Sequence, residues 1–254
     1  MPLEATDLGP QDERESRRSL PMLYLHIVGG LLAILAGALA LMARKGGVLH
    51  RRSGRVFGLA MLLMTASALL IATYLRPNPG NIIAASLTGY LVLSGIMTVR
   101  SPRIAAHGWR VGLLLWVSSV ATAAALLSRV AADAPGGAID GIPYQALIMF
   151  SLVAGLAAIG DVRLLLGREL APTQRIRRHL WRMGYAMWIA TTSLFLGQAK
   201  QFPDSWQSSG WLGLPILLVM GVLLFEWWRA GRQSRPRAQP TRLSAAITPA
   251  QQAD

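Results

Sequence analysis

Followed along its apolar and polar positions, the chain is a series of long apolar runs parted by short polar or basic segments. The runs lie at about 22–43, 56–75, 81–99, 111–130, 143–166, 183–199 and 211–228, each near the roughly 17–25 residues a membrane-spanning helix needs. None alternates apolar and polar residues as a barrel strand does. A bilayer core offers backbone groups no water to bond, so runs of this kind predict helices. Turn formers fall between them, as in Arg76-Pro77-Asn78-Pro79-Gly80, Ser101-Pro102 and Ala134-Pro135-Gly136-Gly137. The expectation is an all-α membrane protein with seven transmembrane helices over residues 22–228. Segments 1–21 and 229–254 are polar, without apolar periodicity, and read as disordered tails. The pair Arg17-Arg18 resembles a twin-arginine export signal, but the run from Met22 to Ala43 is longer than the usual signal core of roughly 7–15 residues.

Composition agrees: 53% of the 254 residues are hydrophobic, 15% are charged, and the mean hydropathy is +0.41, too apolar for an ordinary soluble domain. A net charge of +13 would point to nucleic acid in a soluble protein. Here the basic residues sit between apolar runs, and their distribution excludes that partner in favour of the lipid bilayer. Counted loop by loop, 19 of the 25 Lys and Arg residues fall on one side of a seven-span topology and 6 on the other. The positive-inside rule then puts the amino terminus outside and the carboxyl terminus in the cytoplasm of a cell inner membrane. The five arginines after Trp228 are placed to rest on anionic lipid, at about 1 kcal/mol per charge near the surface. The absence of cysteine removes disulfides, thiolate metal sites and cysteine nucleophiles.

A syntax recurs. A basic cluster with one histidine precedes an apolar run three times, at His50 (HRRSGRVFGLAM), His107 (RIAAHGWRVGLLLW) and His179 (RIRRHLWRMGYAMW). The last two share His-Gly-Trp-Arg and His-Leu-Trp-Arg. This suggests three repeated helical hairpins plus a closing helix. Gly29, Ala33 and Gly37, and Gly54 with Gly58, provide small faces for close helix approach.

Candidate chemistry concentrates at the basic loops. His50, His107 and His179 either anchor their helices at the headgroup layer or converge on a ligand, and imidazole is a versatile ligand for metal or haem iron. The crowd of arginines repels a cation and favours a small anion or a lipid headgroup. His26, alone near the outer end of the first helix, is suited to polar bonding between helices, with Gln145, Tyr144, Gln198 and Tyr24 at similar depth. Asp161 lies inside the end of the fifth run; a membrane carboxylate points to function or to an ion pair, with Arg182, His179 and Arg55 as partners. Glu226 sits nearer the interface as an anchor. No Gly-x-Ser-x-Gly, His-Glu-x-x-His, Walker loop or Gly-x-Gly-x-x-Gly is present. The only lysines, Lys45 and Lys200, exclude a retinal Schiff base in the seventh run. The reading is a transporter-like or ligand-binding membrane protein without a catalytic residue or cofactor; the alternative is a haem or metal redox protein using His50, His107 and His179.

The stretch RHLWRMGYAMWIATTSLFLGQAKQFP, ending at Pro203, together with HIVGGLLAILAGALALMARKGGVLHRRSGRVFGLAML, from His26 to Leu62, resembles a bacterial family of inner-membrane proteins, domain of unknown function 2306. The resemblance implies a multi-pass membrane protein and no particular reaction. It places His26, Lys45-Gly46, His50 and His179 at motif positions.

Overall fold

In the computed structural model, which describes residues 10–100, 107–167 and 170–232, the chain is almost entirely helical. Its helices are α1 (Pro10–Met42), α2 (Val48–Leu70), α3 (Pro79–Arg100), α4 (His107–Asp133), α5 (Tyr144–Leu165), α6 (Pro172–Phe195), the short α7 (Asp204–Ser208) and α8 (Leu214–Arg232). Six helical stretches among the described residues are long and apolar enough to cross a membrane: Leu20–Met42, Val48–Leu75, Pro79–Arg100, Gly108–Asp133, Tyr144–Leu165 and Trp211–Arg232. The expected seventh, the run 183–199, lies mostly in α6. That helix falls short in hydropathy because its first half carries Arg175, Arg177, Arg178, His179 and Arg182.

The tails differ from expectation in extent. Helix α1 begins at Pro10, so its first turns are built from the polar residues that precede the apolar stretch starting at Leu20, and α8 runs on to Arg232. Residues 1–9 and 233–254 lie outside the described residues.

Helix α1 packs along α2, α4 along α5, and α3 along α6, which also carries α8. Of the three expected hairpins, α1–α2 packs as a unit, whereas α3 and α5 find their most extensive contacts on α6 and α4. The core runs through the middle of the bundle, with Leu87, Tyr90, Leu91 and Val92 of α3, Leu147, Ala154 and Ala157 of α5, and Ala186 of α6 buried. Outward faces expose Leu35, Leu59, Leu115, Leu152, Leu217 and Leu218. Such apolar area on so many faces suits surroundings of hydrocarbon rather than water.

Close approaches use glycine where a side chain would collide. A Cβ at Gly37 of α1 would come within 2.9 Å of both Met187 Sδ and Phe57 Cδ2, so this glycine lets α1, α2 and α6 meet. At the opposite end from the basic loops, α2 finishes in a π-helical turn, Ile71–Leu75, where the Arg76 N–H reaches back to the Ile71 carbonyl at 2.8 Å. Between α4 and α5, two residues of β1 (Ala138–Ile139) pair antiparallel with two of β2 (Ile142–Pro143). The turn Asp140-Gly141 has positive φ at both positions, 50° and 79°, which matches the twist of a two-residue hairpin.

Candidate functional site

The first half of α6 is basic at a helical interval. Arg175, Arg178 and Arg182 are three and four residues apart and so share one face, and that face turns inward onto α3 and α5. The Arg182 Nη2 donates to Asp161 Oδ1 of α5 at 2.8 Å and to the Ala157 carbonyl at 3.3 Å. The Arg178 Nη2 donates to the same carboxylate oxygen, and its Nε donates to Thr98 Oγ1 of α3 at 3.1 Å. The Thr98 hydroxyl in turn donates to the Ser94 carbonyl at 2.8 Å. Arg175 reaches the Thr98 carbonyl from Nε and Nη2, both at 3.3 Å. From α3, the Tyr90 hydroxyl donates to Asp161 Oδ2. The Arg182 guanidinium also lies 5.2 Å from the Tyr90 ring centroid and 5.5 Å from that of Trp181, where an aromatic face attracts a cation. Tyr90 is backed by Trp116 of α4, edge-on at 6.2 Å. Beyond Trp116, an apolar pocket of about 490 Å³ opens between Gly108, Trp109, Gly112, Leu113 and Trp116.

Two properties define this cluster. First, one carboxylate faces two guanidinium groups, so the buried assembly keeps one positive charge in excess. Second, Arg182 is fully buried, yet its Nε and Nη1 have no hydrogen-bond partner. An unpaired donor on a buried charged group costs more than an ordinary unmade bond, and guanidinium forks match carboxylate or phosphate oxygens in pairs.

The histidines are placed separately. In each, Nδ1–H donates to a main-chain carbonyl: His26 to Met64 at 3.1 Å, His50 to Ala40 at 3.0 Å, and His179 to Gly95 at 3.0 Å. His26 therefore joins α1 to α2 through the backbone rather than through any of the four side chains expected for it. His50 and His179 lie seven and eight residues beyond Phe57 and Met187, side chains that meet at Gly37. Two helical turns from a shared contact bring both histidines to the basic end between α2 and α6, within electrostatic reach of each other. The side chain of His107 lies outside the described residues. Among the described residues, no three His, Asp or Glu side chains gather where a metal ion would fit.

Asp161 and Arg182 are thus brought together, His179 sits one turn from Arg182 against α3, and His26 is at the far end of the bundle. Arg55, another partner expected for Asp161, instead donates from Nε to the Arg51 carbonyl at 3.3 Å. Reasoning from sequence missed Arg178, Tyr90 and Thr98. Arg178 was readable, because it stands one turn before Arg182; Tyr90 lies deep inside an apolar run and left no signal. Glu226 is more than an anchor: its carboxylate lies 3.7 Å from Lys45 Nζ and 2.9 Å from Arg229 Nη2, tying α8 to the α1–α2 loop. Burial pushes the Lys45 ammonium below the ordinary lysine range, with Glu226 pulling it up and Arg229 down. Arg177 stacks on Trp227 at 5.1 Å and Arg232 on Trp228 at 3.9 Å, closing the basic end of α8.

Comparison with curated proteins and with solved structures yields no match. A family model does match, over a stretch that includes α2–α4 and most of α1 and α5 with His26, His50 and Tyr90; it contains the first of the two stretches that carried the resemblance, while the second, from His179, lies beyond it. With residues 23–159 matched, more than half of its length, the chain belongs to the family described as predicted membrane protein (DUF2306).

Proposed function

We propose that this membrane protein binds a small monovalent oxyanion, a carboxylate or a phosphate, at the buried arginines of α6, and works as a transporter-like protein. The observation that carries the reading is the pair of unpartnered donors, Nε and Nη1, on the fully buried Arg182. Asp161 holds the two guanidinium groups in place and neutralises one of them. The remaining charge and free donors are complementary to one oxyanion. In this reading α6 is a seventh span: its arginines face α3 and α5 rather than lipid, the arrangement by which charge is tolerated at membrane depth. The same reading keeps the orientation drawn from the basic residues, with the amino terminus outside and the arginine-rich end of the bundle at the cytoplasmic face of an inner membrane.

Purified protein in detergent should melt at higher temperature with lactate or inorganic phosphate than with chloride at equal ionic strength, and Arg182→Gln should abolish the difference. Equal melting in all three salts would overturn the proposal.

A second reading is supported by the histidine geometry. His50 and His179 each have Nδ1 fixed by a main-chain carbonyl, the way protein ligands to a metal are commonly oriented with Nε2 outward. A haem or metal redox centre between them would give the purified protein a Soret band or stoichiometric metal, lost on His50→Ala or His179→Ala. Arginine crowding at this end ranks it second.

A further inference from the structure

Five buried side-chain polar atoms among the described residues have no hydrogen-bond partner, and all of them belong to α6: Arg177 Nε, Arg182 Nε, Arg182 Nη1, Tyr185 OH and Thr192 Oγ1. Arg177 is turned toward α8, where its guanidinium stacks on Trp227. The others are ordered along the helix. At about 100° per residue, positions 178, 182, 185 and 192 fall within an arc of about 80°. They form one face, which leaves the Asp161 cluster and climbs away from the basic end. From Arg182 to Thr192 the rise is about 15 Å at 1.5 Å per residue, which carries the row to within a turn of the last residue of α6. Thr191 is the contrasting neighbour: its hydroxyl donates to the Met187 carbonyl at 2.9 Å, and it points about 100° away from Thr192.

Buried hydroxyls normally find a partner, most simply a carbonyl one turn back in their own helix, as Ser53, Thr88 and Thr191 do here. Thr192 does not, and the Tyr185 phenol, which extends too far to bond its own helix, finds no partner on a neighbouring one. Tyr185 stands one turn from Arg182, near enough for both to touch one small ligand, and its ring is held by Trp188 at 5.3 Å.

We propose that this face of α6 is a translocation route, along which a monovalent oxyanion bound at Arg182 passes Tyr185 and then Thr192 toward the opposite end of the bundle. The proposal rests on the anion reading given above. Hydroxyl donors suit such a route because they pair with an oxyanion without trapping it, whereas a row of arginines would hold it fast.

The test is flux into proteoliposomes of [14C]lactate and, separately, of [32P]phosphate at mildly acidic pH where one charge predominates. Saturable uptake driven by a membrane potential is expected for at least one probe. Arg182→Gln should abolish it, and Tyr185→Phe and Thr192→Val should each reduce it about tenfold, the scale of one hydrogen bond to a charged group. Thr191→Val should leave it unchanged. The two conservative variants are to be shown folded by melting, which keeps the test open should Arg182→Gln fail to fold. Uptake unaffected by Tyr185→Phe and Thr192→Val would overturn the route. So would a melting shift with either probe and no uptake at all, which would leave the binding site standing. Neither shift nor uptake would overturn both readings.

Discussion

Asp161 is the residue on which the charge of the interior turns. It accepts from Arg178, Arg182 and Tyr90, so Asp161→Asn would leave two guanidinium groups facing each other with no counter-charge. Removing one partner of a buried pair costs on the order of 3–5 kcal/mol, and a large loss of melting temperature in detergent is expected. Arg182→Gln should be milder, because Asp161 and Arg178 remain as a neutral pair. The double variant Asp161→Asn with Arg182→Gln returns the cluster to one excess positive charge, the wild-type value, and should recover part of the loss. Strict additivity of the two singles would show that the side chains are uncoupled. Tyr90→Phe removes a neutral donor and should cost about 1–3 kcal/mol, less than Asp161→Asn; an equal loss would mean that Tyr90 rather than the arginines holds the carboxylate. The Asp161–Arg182 pair was legible from depth along two apolar runs. The Tyr90 contact was not, since a phenol in an apolar helix reads as ordinary core until the neighbouring helix is placed.

At the scale of the element, α6 separates what hydropathy can read from what it cannot. Periodicity and length find a helix whose outer surface is apolar, and six helices meet that condition. For α6 they reach only the apolar second half, the run 183–199, because its basic first half is enclosed by α3, α5 and α8, and a summed hydropathy cannot tell an enclosed arginine from an exposed one. The same helix is seated by small residues. Gly184 accommodates Leu223 of α8, Gly95 of α3 lies beneath Met183, and Gly37 lies beneath Met187. Gly37→Val would wedge α1 off α2 and α6 together, against Phe57 as well as Met187. Overpacking of this kind costs about 1–3 kcal/mol, to be read as a lower melting temperature. Met187→Ala in the Gly37→Val background should restore part of it. A Gly37→Val protein that melts like wild type would show that α1 can shift without loss, and that the three-helix junction is not a tight one.

For the whole molecule, the matter left to experiment is direction across the membrane, and the sequence itself supplies the means. The chain has no cysteine, so single cysteines can be introduced without a background to remove. Two exposed positions at opposite ends of the bundle serve: Tyr74, in the π-helical turn that ends α2, and Leu166, just after α5. Both are largely open, at 76% and 75% exposure, so substitution removes little packing. The orientation proposed from the basic residues puts Tyr74 outside and Leu166 in the cytoplasm. In intact cells a membrane-impermeant maleimide should therefore label Tyr74→Cys and spare Leu166→Cys, and both should react once the membrane is opened. Reversed labelling would turn the molecule over and direct the α6 route from outside to inside. Labelling of both in intact cells would mean that the two ends face the same side, which is incompatible with three crossings by α3, α4 and α5 between the two positions.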